Sequence, residues 1–216
     1  MYLCLFEDDG AEHLWPLAAT RGVYDLRLGL RTLLETTREA FGAPSTLLHA
    51  RRRVARVTAE ENDLLVNRIP DGLDVLFVNG RYVAEEGDVL DRLRAAARAG
   101  EPARAFVQGG DLVAAWVPSA ALSYVEHDAV TRATFEALPE ERVEGARLIG
   151  RLWHLLDALV PALHRDFAAR TAGFNIYERP GARIHESAVL VEAERIYVGE
   201  GATVRPGAVL NAEDGP

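Results

Sequence analysis

The feature that most restricts the fold of this chain is a period of six that begins at Ile184. Aliphatic residues recur at this spacing: Ile184 and Leu190, then Val198, Val204 and Leu210. Small residues stand between them, at Ala188, Ala202 and Ala208, and Gly201 and Gly207 precede the last two. Hexapeptide periods are typical of a parallel β-helix, in which aliphatic side chains point into the prism and small residues turn the corners. The sequence therefore predicts the start of such a β-helix in residues 181–216.

The period is interrupted once, because the spacing slips by two residues between Leu190 and Val198. We therefore expect an irregular corner around Glu192–Arg195. A solenoid needs about three or more repeats to bury its own core. The repeats present here are too few, so the tail either leans on the preceding domain or belongs to a longer protein.

Residues 1–180 alternate between patterns of buried strands and amphipathic helices. Apolar runs predict strands at Tyr2–Phe6, Ser45–His49 and Asp74–Val78. Helical spacing predicts helices at Leu26–Phe41 and Asp88–Ala99. This alternation is typical of a mostly parallel sheet covered by helices.

Later elements make the predicted sheet mixed. Gly109-Gly110-Asp111 separates two apolar runs and predicts an antiparallel hairpin. Ser119 is a good N-cap for a helix through about Leu138. A strand at Val143–Ile149 and an amphipathic helix from Leu152 to near Gly173 are expected to follow. The predicted fold class is α/β, with one domain over residues 1–180.

Charge and hydropathy exclude several kinds of protein. The net charge of -9 argues against a nucleic-acid or membrane-surface binder, which needs a basic face. No apolar stretch approaches the roughly 18 residues that span a bilayer, and the acidic N-terminus does not resemble a signal peptide, so we expect a cytoplasmic protein. The lone Cys4 lies in an apolar run and is expected to be buried. The basic cluster Arg51–Arg53 with Arg56 is interpreted as a solvated face.

Candidate ligand residues follow the predicted strands. Asp8 and Asp9 come directly after the first strand, at the edge where open α/β sheets bind ligands. Adjacent carboxylates there suit Mg²⁺, and the alternative is a solvated acidic loop. Arg21 and Arg27 flank Asp25, which indicates either a phosphate clamp or a structural ion pair. A further pair, Asn79 and Gly80, follows a buried strand and forms either a ligand contact or a turn.

Four segments carry a family resemblance: Leu14–Gly29, Leu76–Gly80, Leu152–Leu156 and Ile196–Gly207. They resemble the bifunctional N-acetylglucosamine-1-phosphate uridyltransferase/glucosamine-1-phosphate acetyltransferase family, and in particular a divergent branch of sugar nucleotidyltransferases. The resemblance implies a Rossmann-like nucleotidyltransferase domain over residues 1–180. It also implies a left-handed parallel β-helix that starts at residue 181.

The activity implied by this resemblance is uridylyl transfer from UTP to a sugar 1-phosphate such as N-acetylglucosamine 1-phosphate, with Mg²⁺ as cofactor. Arg21 and Arg27 would be the catalytic residues. Nucleotide and sugar would be bound by Asp8, Asp9, Asp25, Asn79 and Gly80, and the metal by Asp8 and Asp9. Relatives of this architecture trimerise through the β-helix. With about one and a half turns of it, this chain is expected to be a monomer or weak dimer, and a trimer only with a complete β-helix.

The sequence also departs from the family pattern at three places. Glu7–His13 replaces the glycine-rich phosphate loop, Thr20-Arg21-Gly22 replaces Pro-Lys, and the metal-binding aspartate falls at Arg81. All 24 basic residues are arginine, so a mechanism that needs a lysine ammonium is excluded. These departures support an alternative, a degenerate domain that binds a sugar nucleotide without catalysis or scaffolds a C-terminal β-helix acyltransferase. The retained segment from Pro16 to Arg21 supports the transferase, which is the first hypothesis.

Overall fold

The structure is a computed structural model, which describes residues 1–42, 45–98, 100–122, 130, 132–172 and 181–215. The chain divides into two compact units, residues 1–157 and 158–216. The boundary between the two predicted domains, between residues 180 and 181, stays a prediction. Within the described part of the chain, no helix combines the length and the apolar character needed to cross a membrane.

A mixed sheet forms the centre of the first unit. The strands of this unit are β1 (Tyr2–Phe6), β2 (Arg27–Leu28), β3 (Arg31–Thr32), β4 (Thr46–His49), β5 (Leu65–Val66), β6 (Val75–Asn79), β7 (Arg104–Gln108), β8 (Asp111–Val117) and β9 (Glu140–Arg142). Seven of them form one sheet in the order β5-β4-β1-β6-β8-β7-β9. The strands from β5 to β6 are parallel, whereas β8 is antiparallel to both neighbours and β9 is parallel to β7. The prediction of an α/β fold with a mixed sheet is confirmed.

The first unit contains four helices and the beginning of a fifth among its described residues. They are α1 (Leu33–Phe41), α2 (Ala55–Asn62), α3 (Asp88–Ala96), α4 (Ser119–Leu122) and α5 (Leu152–Thr171). Helix α1 begins at residue 33 and not at the predicted Leu26, because Arg27–Thr32 forms a hairpin that turns at Gly29 with a φ of 77°. Thr32 and Glu35 then close a capping box at the start of α1.

Two other predictions in this unit were wrong. Of the helix expected from Ser119 to Leu138, the described residues form only α4 and a 3₁₀ turn at Arg132–Phe135, and residues 123–129 and 131 lie outside the described part. Phe135 packs against Phe77, with ring centroids 5.1 Å apart, so core packing overrides the local propensity. The strand expected at Val143–Ile149 is reduced to a bridge, because Gly145 has a φ of 86° and interrupts it.

The core of the first unit lies on β1 and its neighbours. Cys4 is fully buried in it, as predicted, together with Phe6, Phe77 and Ala115. Burial raises the pKa of the Cys4 thiol, so Cys4 stays protonated and serves as packing. The centre of the sheet is therefore an apolar layer, and polar side chains such as Asn79 lie at the ends of its strands.

The second unit contains four short strands that follow α5. They are β10 (Arg183–Ile184), β11 (Val189–Val191), β12 (Thr203–Val204) and β13 (Val209–Asn211). Strand β10 pairs with β12 and β11 pairs with β13, both in parallel register. Ile184 lies opposite Val204 and Leu190 opposite Leu210, so paired residues are twenty positions apart.

The repeat positions behave as the period of six predicts. Ile184, Leu190, Val198, Val204 and Leu210 belong to one apolar cluster, which also holds Ile196 and Ala212. The expected irregular corner is a 3₁₀ turn at Ala193–Arg195, which follows Glu192 with a φ of 55°. In the described residues these strands form two parallel pairs, and a closed β-helix is not evident.

Candidate functional site

A cavity of 720 Å³ opens at the carboxyl ends of β1 and β4. Four carboxylates and two arginines are among its lining residues: Glu7, Asp8, Asp9, Glu12, Arg51 and Arg52. Its size falls within the roughly 300–1,000 Å³ of small-molecule sites. Open α/β sheets bind their ligands outside the carboxyl ends of the strands. The position predicted from Asp8 and Asp9 is thus a cavity of suitable size.

Both carboxylate oxygens of Asp8 accept hydrogen bonds from Arg81. Nε of Arg81 donates to Oδ1 of Asp8 at 2.7 Å, and Nη2 donates to Oδ2 at 2.6 Å. The amide of Asn79 donates a third hydrogen bond, to Oδ2 of Asp8 at 2.8 Å. A bidentate arginine–carboxylate pair is among the strongest polar contacts in proteins. The negative charge of Asp8 is therefore compensated within the protein.

Arg81 is itself enclosed, with 3% of the residue exposed. Its Nη2 also donates to Oδ1 of Asp111 at 3.0 Å, and its Nη1 to the carbonyl of Ile149 at 3.4 Å. Burial by itself lowers the pKa of Arg81, but the hydrogen bonds and charges of Asp8 and Asp111 raise it overall. A Cβ at Gly10 would lie 2.4 Å from Cζ of Arg81, so only glycine at this position lets the loop cover the guanidinium.

Asn79 and Gly80 fix the positions of Asp8 and Arg81 through hydrogen bonds at the end of β6. Asn79 is fully buried, donates to the carbonyl of Leu112 at 2.8 Å and accepts from the backbone nitrogen of Arg81 at 2.9 Å. The backbone nitrogen of Gly80 donates to the carbonyl of Phe6 at 2.7 Å. The structure thus brings Asp8, Asn79 and Gly80 together, and Asn79 orients Asp8 and Arg81.

Sequence reasoning missed the role of Arg51, which was interpreted as part of a solvated face. Its backbone nitrogen and its Nε donate to Oε2 of the buried Glu7 at 2.8 and 3.1 Å, while Oε1 of Glu7 accepts from Val23 at 2.9 Å. Nη2 of Arg51 donates to the carbonyl of Ala18 at 2.6 Å. The available signal was its position, because Arg51 follows β4 as Asp8 follows β1.

The far wall of the cavity is fixed by Asn67. Oδ1 of Asn67 accepts from the backbone nitrogen of Ala50 at 2.7 Å, and its Nδ2 donates to the carbonyl of Ala50 at 2.9 Å. At the exposed side, the guanidinium of Arg53 lies 4.6 Å from the ring centroid of Trp15, a cation–π contact. Both contacts give the loop after β4 a defined path beside the cavity.

Comparison with known proteins identifies the family of this chain. A family model described as sugar nucleotidyl transferase matches residues 3–175. This chain belongs to the sugar nucleotidyl transferase family. The matched residues include the cavity and the whole Asp8–Arg81 cluster, so the site lies within the sugar nucleotidyl transferase domain.

Other comparisons add little to the family assignment. A solved structure from Bacillus anthracis, of a candidate glucose-1-phosphate thymidylyltransferase in complex with sucrose, is similar with a TM-score of 0.47 and 9% identity. The similarity covers 76% of this chain and 96% of that one. No curated protein matches the sequence. The narrower resemblance to the bifunctional uridyltransferase/acetyltransferase branch stays a prediction.

The remaining predicted residues, Arg21, Asp25 and Arg27, lie outside the lining of this cavity. Arg21 and Arg27 are both exposed, and the guanidinium of Arg27 donates to the carbonyl of Leu30 within its own hairpin. Asp25 is half-buried and accepts from Nδ2 of Asn62 at 3.2 Å. Burial raises the pKa of Asp25 to about 6, against the lowering effect of Asn62 and of the backbone of Gly22. The expected clamp of these three residues stays a prediction.

The acidic edge does not fit Mg²⁺ in the expected way. Mg²⁺ is usually held in near-octahedral geometry by one or two carboxylates together with waters and substrate phosphates. Both oxygens of Asp8, the better placed of the two predicted ligands, already accept hydrogen bonds from the cationic Arg81, and Asp9 is exposed on the following turn. Among the residues that the structure describes, no group of three or more His, Cys, Asp or Glu side chains is arranged to hold a metal ion.

Proposed function

We propose that this chain transfers a nucleotidyl group from a nucleoside triphosphate to a sugar 1-phosphate, and that the nucleotide binds in the cavity beside β1 and β4. The observation that carries the proposal is the position of this 720 Å³ cavity, inside the segment matched by the family model. UTP and N-acetylglucosamine 1-phosphate are the proposed substrates, because of the sequence resemblance. Mg²⁺ is the cofactor expected from the resemblance, but the hydrogen bonds from Arg81 to Asp8 do not favour it at the predicted position.

The proposed reaction is a displacement at the α-phosphorus of the triphosphate. A phosphate oxygen of the sugar 1-phosphate forms the new P–O bond, and the bond to the β-phosphate breaks so that pyrophosphate leaves. Such reactions depend on positioning and charge stabilisation and need little covalent chemistry from the protein. Arg52 lines the cavity and is exposed, so its guanidinium is the cation best placed for the phosphates.

A second candidate function is binding of a sugar nucleotide without transfer. The Arg81–Asp8 pair favours it, because it removes the carboxylate that sequence reasoning assigned to a metal ion. The two parallel strand pairs of the second unit support the proposal that residues 181–216 begin a left-handed β-helix. In this alternative the first unit is a sugar-nucleotide-binding scaffold for a β-helix acyltransferase.

The two candidates are separated by measuring binding and turnover on the same preparation. The chain is incubated with UTP and N-acetylglucosamine 1-phosphate, and in parallel with dTTP and glucose 1-phosphate, while pyrophosphate and sugar nucleotide are quantified. Transfer is supported if pyrophosphate and sugar nucleotide form in equal amounts and if neither forms with the Arg52→Gln variant. Calorimetric binding of UDP-N-acetylglucosamine without turnover supports the second candidate, and absence of both overturns the nucleotide site.

A further inference from the structure

The charge balance of the cavity poses a specific problem. Glu7, Asp8, Asp9 and Glu12 all line it, and a phosphate placed beside four carboxylates is repelled unless cations compensate them. A divalent metal ion is the usual solution when substrate phosphates and carboxylates meet. In this cavity, arginine side chains of the protein itself compensate the charge of two of these carboxylates.

Two of the four carboxylates are already paired with arginine. Arg51 holds Glu7, and Arg81 holds Asp8 through two hydrogen bonds. Arg81 lies behind Asp8 and outside the cavity lining, so it compensates the charge without occupying the space of a ligand.

The position of Arg81 is fixed from several sides. Asp111 and the carbonyl of Ile149 accept from its guanidinium, and the backbone of Gly10 covers it. A metal ion bound to Asp8 would either displace this guanidinium or lie beside it, and both arrangements place two positive charges next to each other at a buried position. Uncompensated buried charge is strongly unfavourable. The pair therefore competes effectively against a metal ion.

We propose that Arg81 is the fixed cation of this site: it neutralises Asp8 in place of a divalent metal ion, so that the cavity binds a phosphate-bearing ligand without Mg²⁺. This inference rests on the proposed function, in which the cavity holds a nucleotide.

The first test is calorimetric binding of UDP-N-acetylglucosamine and of UTP in excess EDTA and in excess Mg²⁺. UTP chelates Mg²⁺ in solution, so UDP-N-acetylglucosamine is the cleaner probe. We expect the same dissociation constant for it in both buffers. Binding seen only with Mg²⁺ overturns the inference and leaves the proposed function standing. Absence of binding in both buffers overturns the two together.

The second test uses variants of the pair. Arg81→Gln leaves Asp8 uncompensated and is expected to weaken binding in EDTA by at least about tenfold, with recovery in Mg²⁺. Since this variant also leaves a buried carboxylate unpaired, the double variant Asp8→Asn/Arg81→Gln is made beside it, and circular dichroism checks the folding of both. The double variant restores neutrality and is expected to bind in EDTA as the wild type does.

Arg92→Gln is the matched control, because Arg92 pairs with Glu141 on β9, at the opposite edge of the sheet from β5. It is expected to leave binding unchanged in both buffers. If the double variant folds but binds only with Mg²⁺, or if Arg92→Gln weakens binding as much as Arg81→Gln, the role assigned to Arg81 is wrong.

A third readout measures the metal directly and needs no nucleotide. Titration of Mn²⁺, followed by the electron paramagnetic resonance signal of the free ion, is expected to show no Asp8-dependent binding to the wild type. The folded Arg81→Gln variant is expected to gain Mn²⁺ affinity relative to the double variant, which lacks the carboxylate of Asp8. Mn²⁺ binding to the wild type that is lost in Asp8→Asn overturns the inference.

Discussion

Oε2 of Glu7 accepts two hydrogen bonds from Arg51, at 2.8 Å from the backbone nitrogen and at 3.1 Å from Nε, across 44 residues of sequence. The other oxygen of Glu7 accepts from Val23, so one buried carboxylate joins three segments. Two of these segments, those of Glu7 and Arg51, line the cavity. The stability of this lining and the binding of a ligand are thus expected to depend on the same side chain.

Replacement of Glu7 should therefore be strongly destabilising. Glu7→Ala leaves the buried backbone nitrogens and Arg51 without their acceptor, so we expect the free energy of unfolding to fall by about 3–5 kcal/mol. Glu7→Gln keeps one acceptor oxygen and should cost less. Glu60→Ala is the control, because Glu60 pairs with Arg56 on the surface of α2 and should change stability by less than about 1 kcal/mol. Urea unfolding measures all three, and equal effects would contradict the assignment.

The capping box of α1 offers a smaller and independent test. Oγ1 of Thr32 accepts from the nitrogen of Glu35 at 3.1 Å, and Oε2 of Glu35 accepts from the nitrogen of Thr32 at 2.7 Å. Thr32→Ala should lower the free energy of unfolding by about 1 kcal/mol. Glu35→Ala should act on the same interaction, so a double-mutant cycle is expected to give a non-additive sum. Full additivity would mean that the box is not formed in solution.

Asp25 should give the stability a particular pH dependence. Its pKa of about 6 in the folded chain lies above the value of about 3.9 in an unfolded chain. Between these two values the folded state binds more protons than the unfolded state, so the free energy of unfolding falls as the pH rises. Above pH 6 the loss is constant.

Asp25→Asn should remove this slope and stabilise the chain at pH 7. Since Asp25 is only half-buried, solvent screening reduces the expected gain to about 1–2 kcal/mol. Asp157→Asn changes the net charge equally at an exposed position and is the control. Unfolding in urea at several pH values between 4 and 7 measures the effect. A slope that persists in Asp25→Asn would assign it to another group.

Two arginines, Arg52 and Arg21, are alternative candidates for the contact with the phosphates of the nucleotide. Arg52 lines the cavity, whereas Arg21 is exposed outside its lining. We expect Arg52→Gln to weaken nucleotide binding by about 1.5–3 kcal/mol, the range for a hydrogen bond to a charged group. Arg21→Gln is the matched comparison in calorimetry. A larger loss with Arg21→Gln would return the phosphate contact to the residue predicted from sequence.

The second unit can be tested with two neighbouring residues. Leu210 belongs to the apolar cluster, whereas the side of the strand that carries Val209 faces outward, with 63% of this residue exposed. Leu210→Ala should destabilise the unit by about 1–3 kcal/mol, less than a fully buried leucine, and Val209→Ala by less than about 0.5 kcal/mol. Hydrogen exchange of the amides of β12 and β13 measures both. Equal effects would contradict the inward assignment.

The parts of the fold that the sequence predicted well are those with a local signal. The period of six in the tail identified Ile184 and Val204 as inward positions, because each repeat carries the same pattern. The apolar run around Cys4 and the glycines before Asp111 likewise defined a strand and a hairpin. Where tertiary contacts decide, as at Phe135, local propensity gave the wrong element.

The site was only partly predictable for a related reason. Asp8 could be placed at the correct edge, because it follows a strand. Its partner Arg81 lies 73 residues away, and that of Glu7 lies 44 residues away, so no local pattern joins either pair. Pairing between distant residues determines whether a carboxylate is free to bind a metal ion. Sequence spacing alone therefore identified the acidic residues but not their state.

The extra corner at Glu192 has a consequence for how the tail tolerates change. The 3₁₀ turn Ala193–Arg195 absorbs the two additional residues, while Ile184 and Val204 keep their parallel register on either side. Glu194, within this turn, is exposed. A segment looped out of the strand register can lengthen at little energetic expense. This corner is thus a natural insertion point, where a peptide tag could be grafted while the strands on both sides stay paired.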